Sequence, residues 1–378
     1  MNINIKSINK FNFLEFIKKE IVLIISLSLA LLSCIFSFPK LSYIDFKVLI
    51  LLFNLMIVVS AFKELKVLDS IATKILKQCT TYISISFALI FLTFTSSMII
   101  TNDVALITFV PLTIIIGKKA NFSTLKIVIL QTIAANLGSS FTPLGNPQNL
   151  FIYSFYNLGI VDFLRVTFPL LLISIILLLI FILKGKNKAL NIELKKINVK
   201  DKKQVIIFST LFFIILLSVF HLINYKITFL ITLITVLLFN KNLLLKVDYS
   251  LLITFVGFFI FIGNISTLDN VRNFMEHILR SGKTTFISSI IVSQVISNVP
   301  ATMLLSSFTS SINELLLGVN IGGLGTLIAS LASVISFKLY TKEYPKESNT
   351  YFRFFTFYNI LGLAIIIPII YLLIFYIY

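Results

Sequence analysis

The sequence has no tryptophan, two cysteines, two histidines and only 15 acidic residues in a chain of 378. Cys34 and Cys79 stand far apart, form no metal-binding or redox motif, and read as packing residues. His221 and His277 likewise lack ligand spacing and read as structural or exposed. Charged residues of both signs make up 12% of the chain, about half the ~25% of a soluble domain. The lack of tryptophan, with lysine over arginine and many isoleucines and phenylalanines, reads as a base-composition habit without functional content.

What is abundant is apolar surface. Hydrophobic residues reach 58% and the mean hydropathy is +1.02. No soluble core of this size can hide that much, so the chain reads as an all-α integral membrane protein. The net charge of +17 comes from 32 Lys+Arg against 15 Asp+Glu. In a soluble chain it would suggest nucleic acid; here it places lysines in cytoplasmic loops, and no nucleic acid partner is expected.

Lys6, Lys10, Lys18 and Lys19 precede an apolar run to Pro39. No short apolar core with a small-residue cleavage site follows, so the run reads as a first spanning helix rather than a removed signal. Clear spans are 21–38, 47–62, 164–183, 204–223, 249–267 and 354–378, and the shorter 227–239 lies between polar stops. Two apolar regions, 82–156 and 286–340, are interrupted by small and polar residues. Irregular backbone at membrane depth persists only where protein or a water-filled cavity satisfies its polar groups.

These regions match. FTSSMIITNDVALITFVPLT (94–113) aligns with SQVISNVPATMLLSSFT (293–309), and ANLGSSFTPLGNPQN (135–149) with VNIGGLGTLIASLAS (319–333). The pairs are Ser97 with Ser293, Thr101 with Ser297, Asn102 with Asn298, Asn136 with Asn320, Thr142 with Thr326, and Gly145 with Ala329. Two matches in the same order point to a repeat. Residues 1–183 form the first unit, with re-entrant hairpin 82–116 and broken helix 124–156. Residues 204–378 form the second, with hairpin 286–310 and broken helix 316–340.

With a cytoplasmic N-terminus, the inside segments carry 25 Lys+Arg and the outside segments seven. This follows the positive-inside rule. Five spans then separate the hairpins, so the second enters from outside and the repeat is inverted, the architecture of secondary transporters. The expected fold has about nine spans plus two hairpins, with Tyr378 outside. The segment 184–203, with eight lysines against Glu193 and Asp201, reads as a solvated cytoplasmic linker or a lipid-headgroup contact. Leu65, Leu68, Ile71, Ile75 and Leu76 mark 63–80 as an amphipathic interfacial helix.

The hairpin tips Thr101-Asn102 and Ser297-Asn298 combine good N-cap residues with an apolar helix start, helped by Pro300. Such tips present backbone N–H groups and a positive dipole end, suited to an anion. Their hydroxyl, amide and carbonyl oxygens suit Na⁺. As plain caps they would only hold the hairpins. Opposite them, Gly138, Pro143, Gly145 and Pro147 break a helix beside Ser139, Ser140, Thr142, Asn146 and Asn149. Gly322, Gly323 and Gly325, with Thr326 and Ser330, do so in the second half. Asp103 is the one acidic residue expected at membrane depth, where an unsatisfied carboxylate costs at least ~2.5–3.5 kcal/mol. It serves either as a coupling group or as a structural charge at a helix N-terminus.

Gly282-Lys283-Thr284 resembles the end of a phosphate-binding loop, but His277 stands where glycine is required. Arg272, Arg280 and Lys283 read as a solvated loop rather than an anion funnel.

TNDVALITFVPLT, ANLGSSFTPLGNPQN, SNVPATMLL and NIGGLGTLIASLAS resemble motifs of the ion transporter superfamily, most of all the small anion permeases of its citrate-transporter-like and arsenical-pump-membrane-protein group. The resemblance runs from about residue 45 to 378. It implies a scaffold and a transport domain moving in an elevator-like manner. It further implies one Na⁺ site at Ser97, Thr101, Asn102 and Gly145 and a second at Ser293, Ile296, Asn298 and Ala329. The third tip position is Asp103 in one half and Val299 in the other, where the sodium-coupled symporters carry threonine. The Asn102-Asp103 pair resembles the arsenical-pump side, which implies proton coupling.

The function expected is secondary active transport of a small anion or weak acid across the cell membrane, coupled to Na⁺ or H⁺, without other cofactors. A Na⁺/H⁺ antiporter is the second reading. A channel fits the inverted repeat poorly, and a membrane enzyme would show clustered His, Asp or Glu at membrane depth. A homodimer remains open.

Overall fold

The computed structural model describes residues 20–185, 187–190 and 197–377. The N-terminal lysines 6–19, Glu193 and Tyr378, given topological roles above, lie outside them. Among the described residues the chain is helical, with one isolated β-bridge between Thr81 and Ala189.

Helix α1 (Ile21–Ser33) leads through a 3₁₀ turn (Leu41–Tyr43) to α2 (Phe46–Glu64), where the Asp45 carboxylate accepts the Val48 N–H at 3.1 Å and caps the helix. The amphipathic α3 (Val67–Leu76) follows and buries Ala72, Thr73 and Leu76; of the spaced residues in 63–80, Leu65 and Leu76 are buried while Ile71 and Ile75 are exposed. The first hairpin is α4 (Tyr82–Ile100) and α5 (Asn102–Ala120). The first broken helix is α6 (Leu125–Ser139) and α7 (Pro147–Phe155), with Pro147 at the first helical turn, where its missing N–H costs nothing. Then come α8 (Ile160–Leu183), α9 (Lys202–Val219), α10 (Tyr225–Phe239) and α11 (Tyr249–Ile265).

Helix α12 (Asp269–Ile278) turns 103° away from α11. Its charges suggest a solvated loop in the sequence. In the structure Val271, Met275 and Ile278 pack against the core on one face, while Arg272 pairs with Glu276 at 2.9 Å on the other. It is a second amphipathic helix. The second hairpin is α13 (Gly282–Ile296) and α14 (Asn298–Ser306), so its first arm begins four residues before the expected 286. Ser281 and Thr284 form a capping box there, as Thr81 and Ser84 do at α4. Lys283 thus belongs to a helix start, and its ammonium lies 5.0 Å from the Tyr376 ring centroid. The second broken helix is α15 (Ile312–Ile321) and α16 (Leu331–Glu343), joined by a short 3₁₀ turn (Leu327–Ala329), and α17 (Ser348–Leu372) closes the chain.

By length and composition five helical stretches can cross a membrane: Phe46–Glu64, Tyr82–Ile100, Ile160–Leu183, Lys202–Val219 and Pro345–Tyr376. The pair Tyr249–Ile265 and Asp269–Ile278, bent by 103°, would make a sixth only if counted together. Tyr82–Ile100, expected as a re-entrant arm, is therefore as long as a span. Large apolar side chains such as Leu31, Phe213 and Leu238 point outward, as a lipid-facing surface requires.

Two apolar cores form. One gathers Phe94, Phe109, Ile133, Phe181, Phe286 and Phe355 around both hairpins, α6, α8 and α17. The other gathers Leu51, Phe151, Phe208, Ile215, Phe255 and Leu316 around α2, α7, α9, α11 and α15. Buried polar seams cross the first core. Gln131 accepts from Thr113 at 2.9 Å and donates to Thr93 at 3.0 Å, and Thr132 donates to Ser336 at 2.6 Å. Satisfied amides and hydroxyls of this kind fix one packing among apolar helices that would otherwise slide.

Candidate functional site

The two tips adopt the same unusual backbone. Thr101 has φ 76° and Ser297 φ 75°, with ψ 148° and 152°. For residues carrying a Cβ such conformations cost about 1–3 kcal/mol and persist only where surrounding structure enforces them. Neither residue caps its following helix with its side chain. This corrects the simple cap reading: the Ser297 hydroxyl turns to the Ala329 carbonyl, 3.4 Å away. At the first tip the Asn102 N–H donates to the Gly145 carbonyl at 3.0 Å, and the Asp103 N–H donates to Asn102 Oδ1 at 3.0 Å. Two first-turn donors expected to await an anion are thus already engaged.

Each tip is backed by its own broken helix through a glycine contact. A Cβ at Gly138 would strike the Phe94 carbonyl and come within 2.6 Å of Ser97 Oγ. One at Gly322 would lie 2.7 Å from Ser293 Cβ and 2.8 Å from its Oγ. Ser97 and Ser293 are fully buried and donate into their own helices, to Phe94 and Ser289 carbonyls. Farther along, Thr142 donates to the Met98 carbonyl and Thr326 to the Gln294 carbonyl at 3.1 Å. The Gly145 and Ala329 N–H groups return to the Thr142 and Thr326 carbonyls at 3.3 and 3.2 Å. The residues paired in the sequence thus make paired contacts.

The breaks were expected to free carbonyls. In the structure buried amides hold many of them. Asn149 Nδ2 lies 3.1 Å from the carbonyls of Ser139, Ser140 and Thr142. In the second half Gln294 Nε2 reaches the Gly322 and Leu324 carbonyls at 2.8 and 2.9 Å, while its Oε1 accepts the Thr326 N–H. Asn149 was legible only as a neighbour of the break. Gln294 carries one sequence signal, the single amide of an arm whose other uncharged polar residues are serines and threonines. A carbonyl with a single donor retains a second lone pair for a cation, whereas that of Thr142 also accepts the Gly145 N–H.

The halves meet through Asn136 and Asn320. Asn136 Oδ1 accepts from Asn102 Nδ2 at 3.2 Å and Ser330 Oγ at 2.9 Å, while its Nδ2 donates to the Gly323 carbonyl and Ser333 Oγ, both at 3.2 Å. Asn320 Oδ1 accepts from Asn146 Nδ2 at 3.1 Å. Asn298 is buried, its Nδ2 only 2.9 Å from where a Gly323 Cβ would stand. Ile296, part of the second implied cation set, ends α13 beside the tip and is 39% exposed. Asp103 is half-buried on the first turn of α5, and among the described residues no side-chain hydrogen bond reaches its carboxylate.

The structure therefore gathers Ser97, Thr101, Asn102, Asn136, Thr142, Gly145 and Asn146 with Ser293, Ser297, Asn298, Asn320, Thr326 and Ala329 into one polar layer. It contains hydroxyl, amide and carbonyl oxygens and one carboxylate at its edge. That chemistry can hold a hard cation or a small oxyanion; it contains no nucleophile–base pair. Among the described residues no cluster of three or more His, Cys, Asp or Glu is arranged to hold a metal ion.

A family profile described as "Citrate transporter" matches residues 11–318. An uncharacterized transporter of Methanocaldococcus jannaschii is 37% identical over 337 residues, covering 88% of this chain and 90% of that protein. An inner membrane protein of Escherichia coli is 28% identical over 303 residues, 78% of this chain and 80% of its own length. A putative arsB transporter of Dictyostelium discoideum is 26% identical over 166 residues, 42% of this chain and 30% of that protein.

Proposed function

This chain belongs to the citrate transporter family of membrane transporters, and from that premise we propose that it is a secondary active permease for a small anion or weak acid, coupled to Na⁺ or H⁺. The observation that carries the reading is the pair of tips: Thr101 and Ser297 stand at φ 76° and 75°, and beside them the Asn102 N–H and the Ser297 hydroxyl donate to the carbonyls of Gly145 and Ala329. Binding residues split between two matched halves suit alternating access, because one half opens as the other closes. The shared contacts of the tips and breaks support an inverted repeat of residues 1–183 and 204–378, with elevator-like movement of the hairpins and broken helices against the scaffold.

The 25-to-seven charge distribution supports a cytoplasmic N-terminus in the cell membrane. The substrate's negative charge would meet the Asn298 amide and the dipole ends of the two tip helices, with the Asn102 donors free for it only after leaving Gly145 and Asn136. Na⁺ would take oxygens at Ser97, Thr101, Asn102 and Gly145 and at Ser293, Ile296, Asn298 and Ala329. A second reading, Na⁺/H⁺ antiport, draws on Asp103, the carboxylate at the edge of this layer.

Uptake into proteoliposomes of a panel of anions, under separately imposed Na⁺ and pH gradients, tests both. Gradient-driven accumulation of an anion supports the permease. Na⁺ flux against a pH gradient without any anion requirement supports the antiporter. Downhill flux that neither gradient concentrates would overturn both.

A further inference from the structure

A groove of about 690 Å³ runs along the first hairpin arm from Cys79 to Thr95. Its floor is apolar: Phe87 and Phe91 from α4 stack at 4.5 Å, opposite Leu179 and Leu183 from α8. Phe87 is 45% and Leu183 66% exposed. Its mouth, at Cys79 and Asn187, is polar and is built by the mid-chain linker. There the Tyr82 N–H donates to the Lys188 carbonyl and the Leu190 N–H to the Thr80 carbonyl, both at 2.8 Å. Asn187 Oδ1 also accepts the Ile83 N–H at 3.3 Å.

Three exposed lysines each follow or precede a lining residue in the chain. Lys77 is adjacent to Gln78, Lys184 to Leu183 and Lys188 to Asn187, all lining residues. Lys126 stands behind them, near enough to Lys184 for their charges to repel. Among the described residues none of the four enters an ion pair and no carboxylate lines the groove. Lysines on the segments that border an apolar trough, with no counter-ion among the described residues, match one ligand chemistry: a negative headgroup on an acyl chain.

We infer that this groove seats an anionic phospholipid of the cytoplasmic leaflet, one acyl chain along Phe87 and Leu183 and the phosphate among Lys77, Lys184 and Lys188. The leaflet follows from the orientation proposed above; the lipid chemistry does not depend on it. The bound lipid would join the linker to the base of the moving hairpin, so membrane composition would influence transport. Each lysine contributes about fivefold in affinity for an anionic headgroup.

The test uses the full chain in neutral detergent with Cys34→Ser, leaving Cys79 at the groove mouth as the one thiol. Dioleoylphosphatidylglycerol should slow alkylation of Cys79 and remain bound through purification, whereas dioleoylphosphatidylcholine should do neither. Lys77→Gln, Lys184→Gln and Lys188→Gln together should weaken the phosphatidylglycerol effect on the order of a hundredfold, while the corresponding three arginine substitutions retain it. Equal protection by phosphatidylcholine would reduce the groove to ordinary lipid-facing surface and overturn the inference. Protection by glycerol 3-phosphate alone would make it a free-anion site and overturn it equally. Micelles have no sides, so a wrong orientation would leave this result intact and show only in sidedness measurements.

Discussion

Asn320 Nδ2 donates to Asn149 Oδ1 at 2.7 Å, and through that bond the second broken helix grips the amide that holds the first one open. Asn149 Nδ2 is the donor to the carbonyls of Ser139, Ser140 and Thr142, so a contact between segments 171 residues apart fixes the shape of a break.

Asn149→Leu keeps the volume and removes the donor. A buried polar group left without a partner costs about 1–3 kcal/mol, so unfolding in detergent should show at least that loss. Asn320→Ala should cost a similar amount. The double variant should lose less than the sum by ~0.5–3 kcal/mol, the range for contacting groups. Strict additivity would mean the two amides act independently.

The matched glycines differ in what opposes them. Gly322→Ala meets a side chain, Ser293, whereas Gly138→Ala meets the Phe94 backbone carbonyl as well as Ser97. Each should destabilise by about 1–3 kcal/mol through overpacking. Adding Ser293→Gly should restore part of the Gly322→Ala loss, while Ser97→Gly should leave Gly138→Ala unrepaired. Equal rescue in both halves, read from melting temperatures, would contradict the contact geometry.

Asn102 and Asn298 present matched amides at the tips. Asn102→Ala and Asn298→Ala should each abolish transport in proteoliposomes while leaving a monodisperse, folded protein in detergent. Near-normal transport by both would reduce the pair to helix-start residues.

Asp103→Asn keeps the side-chain shape but cannot ionise. If Asp103 carries the coupling proton, this variant should lose accumulation driven by a pH gradient and keep substrate exchange at equilibrium. Unchanged accumulation would leave Asp103 a structural charge on the first turn of α5.

The two native thiols report orientation. Cys34 follows α1 and Cys79 follows α3, so the proposed topology puts them on opposite faces. An impermeant maleimide should label Cys34 from outside and Cys79 only in inverted vesicles. Burial pushes the Cys79 thiol above its usual range, and the thiolate is the reactive form. Its labelling should therefore be slow near neutral pH and accelerate as pH rises beyond ~8.5. Labelling of Cys79 in intact cells would reverse the orientation.

The helix interruptions at residues 101, 140–146, 297 and 322–330 are legible in the sequence, because Pro143, Pro147 and the glycines act locally. What is illegible depends on partners distant along the chain. Gln294 matters through carbonyls 28 and 30 residues away. Asn149 acts across a break that only folding closes. The linker's hold on the hairpin base at residues 80–83 leaves no trace in a run of lysines. Helix α12 was hidden because its apolar face is narrow and its remaining positions are charged.

The hairpins are unequal: the first arm of one has 19 residues and that of the other 15, a difference of one helical turn, about 6 Å. If the hairpins enter from opposite faces, their meeting place stands closer to the face served by the shorter arm. In electrical terms the site then divides the membrane voltage unevenly. An ion arriving along the longer arm has crossed the greater share of the field, so the two directions of exchange respond differently when the potential is reversed.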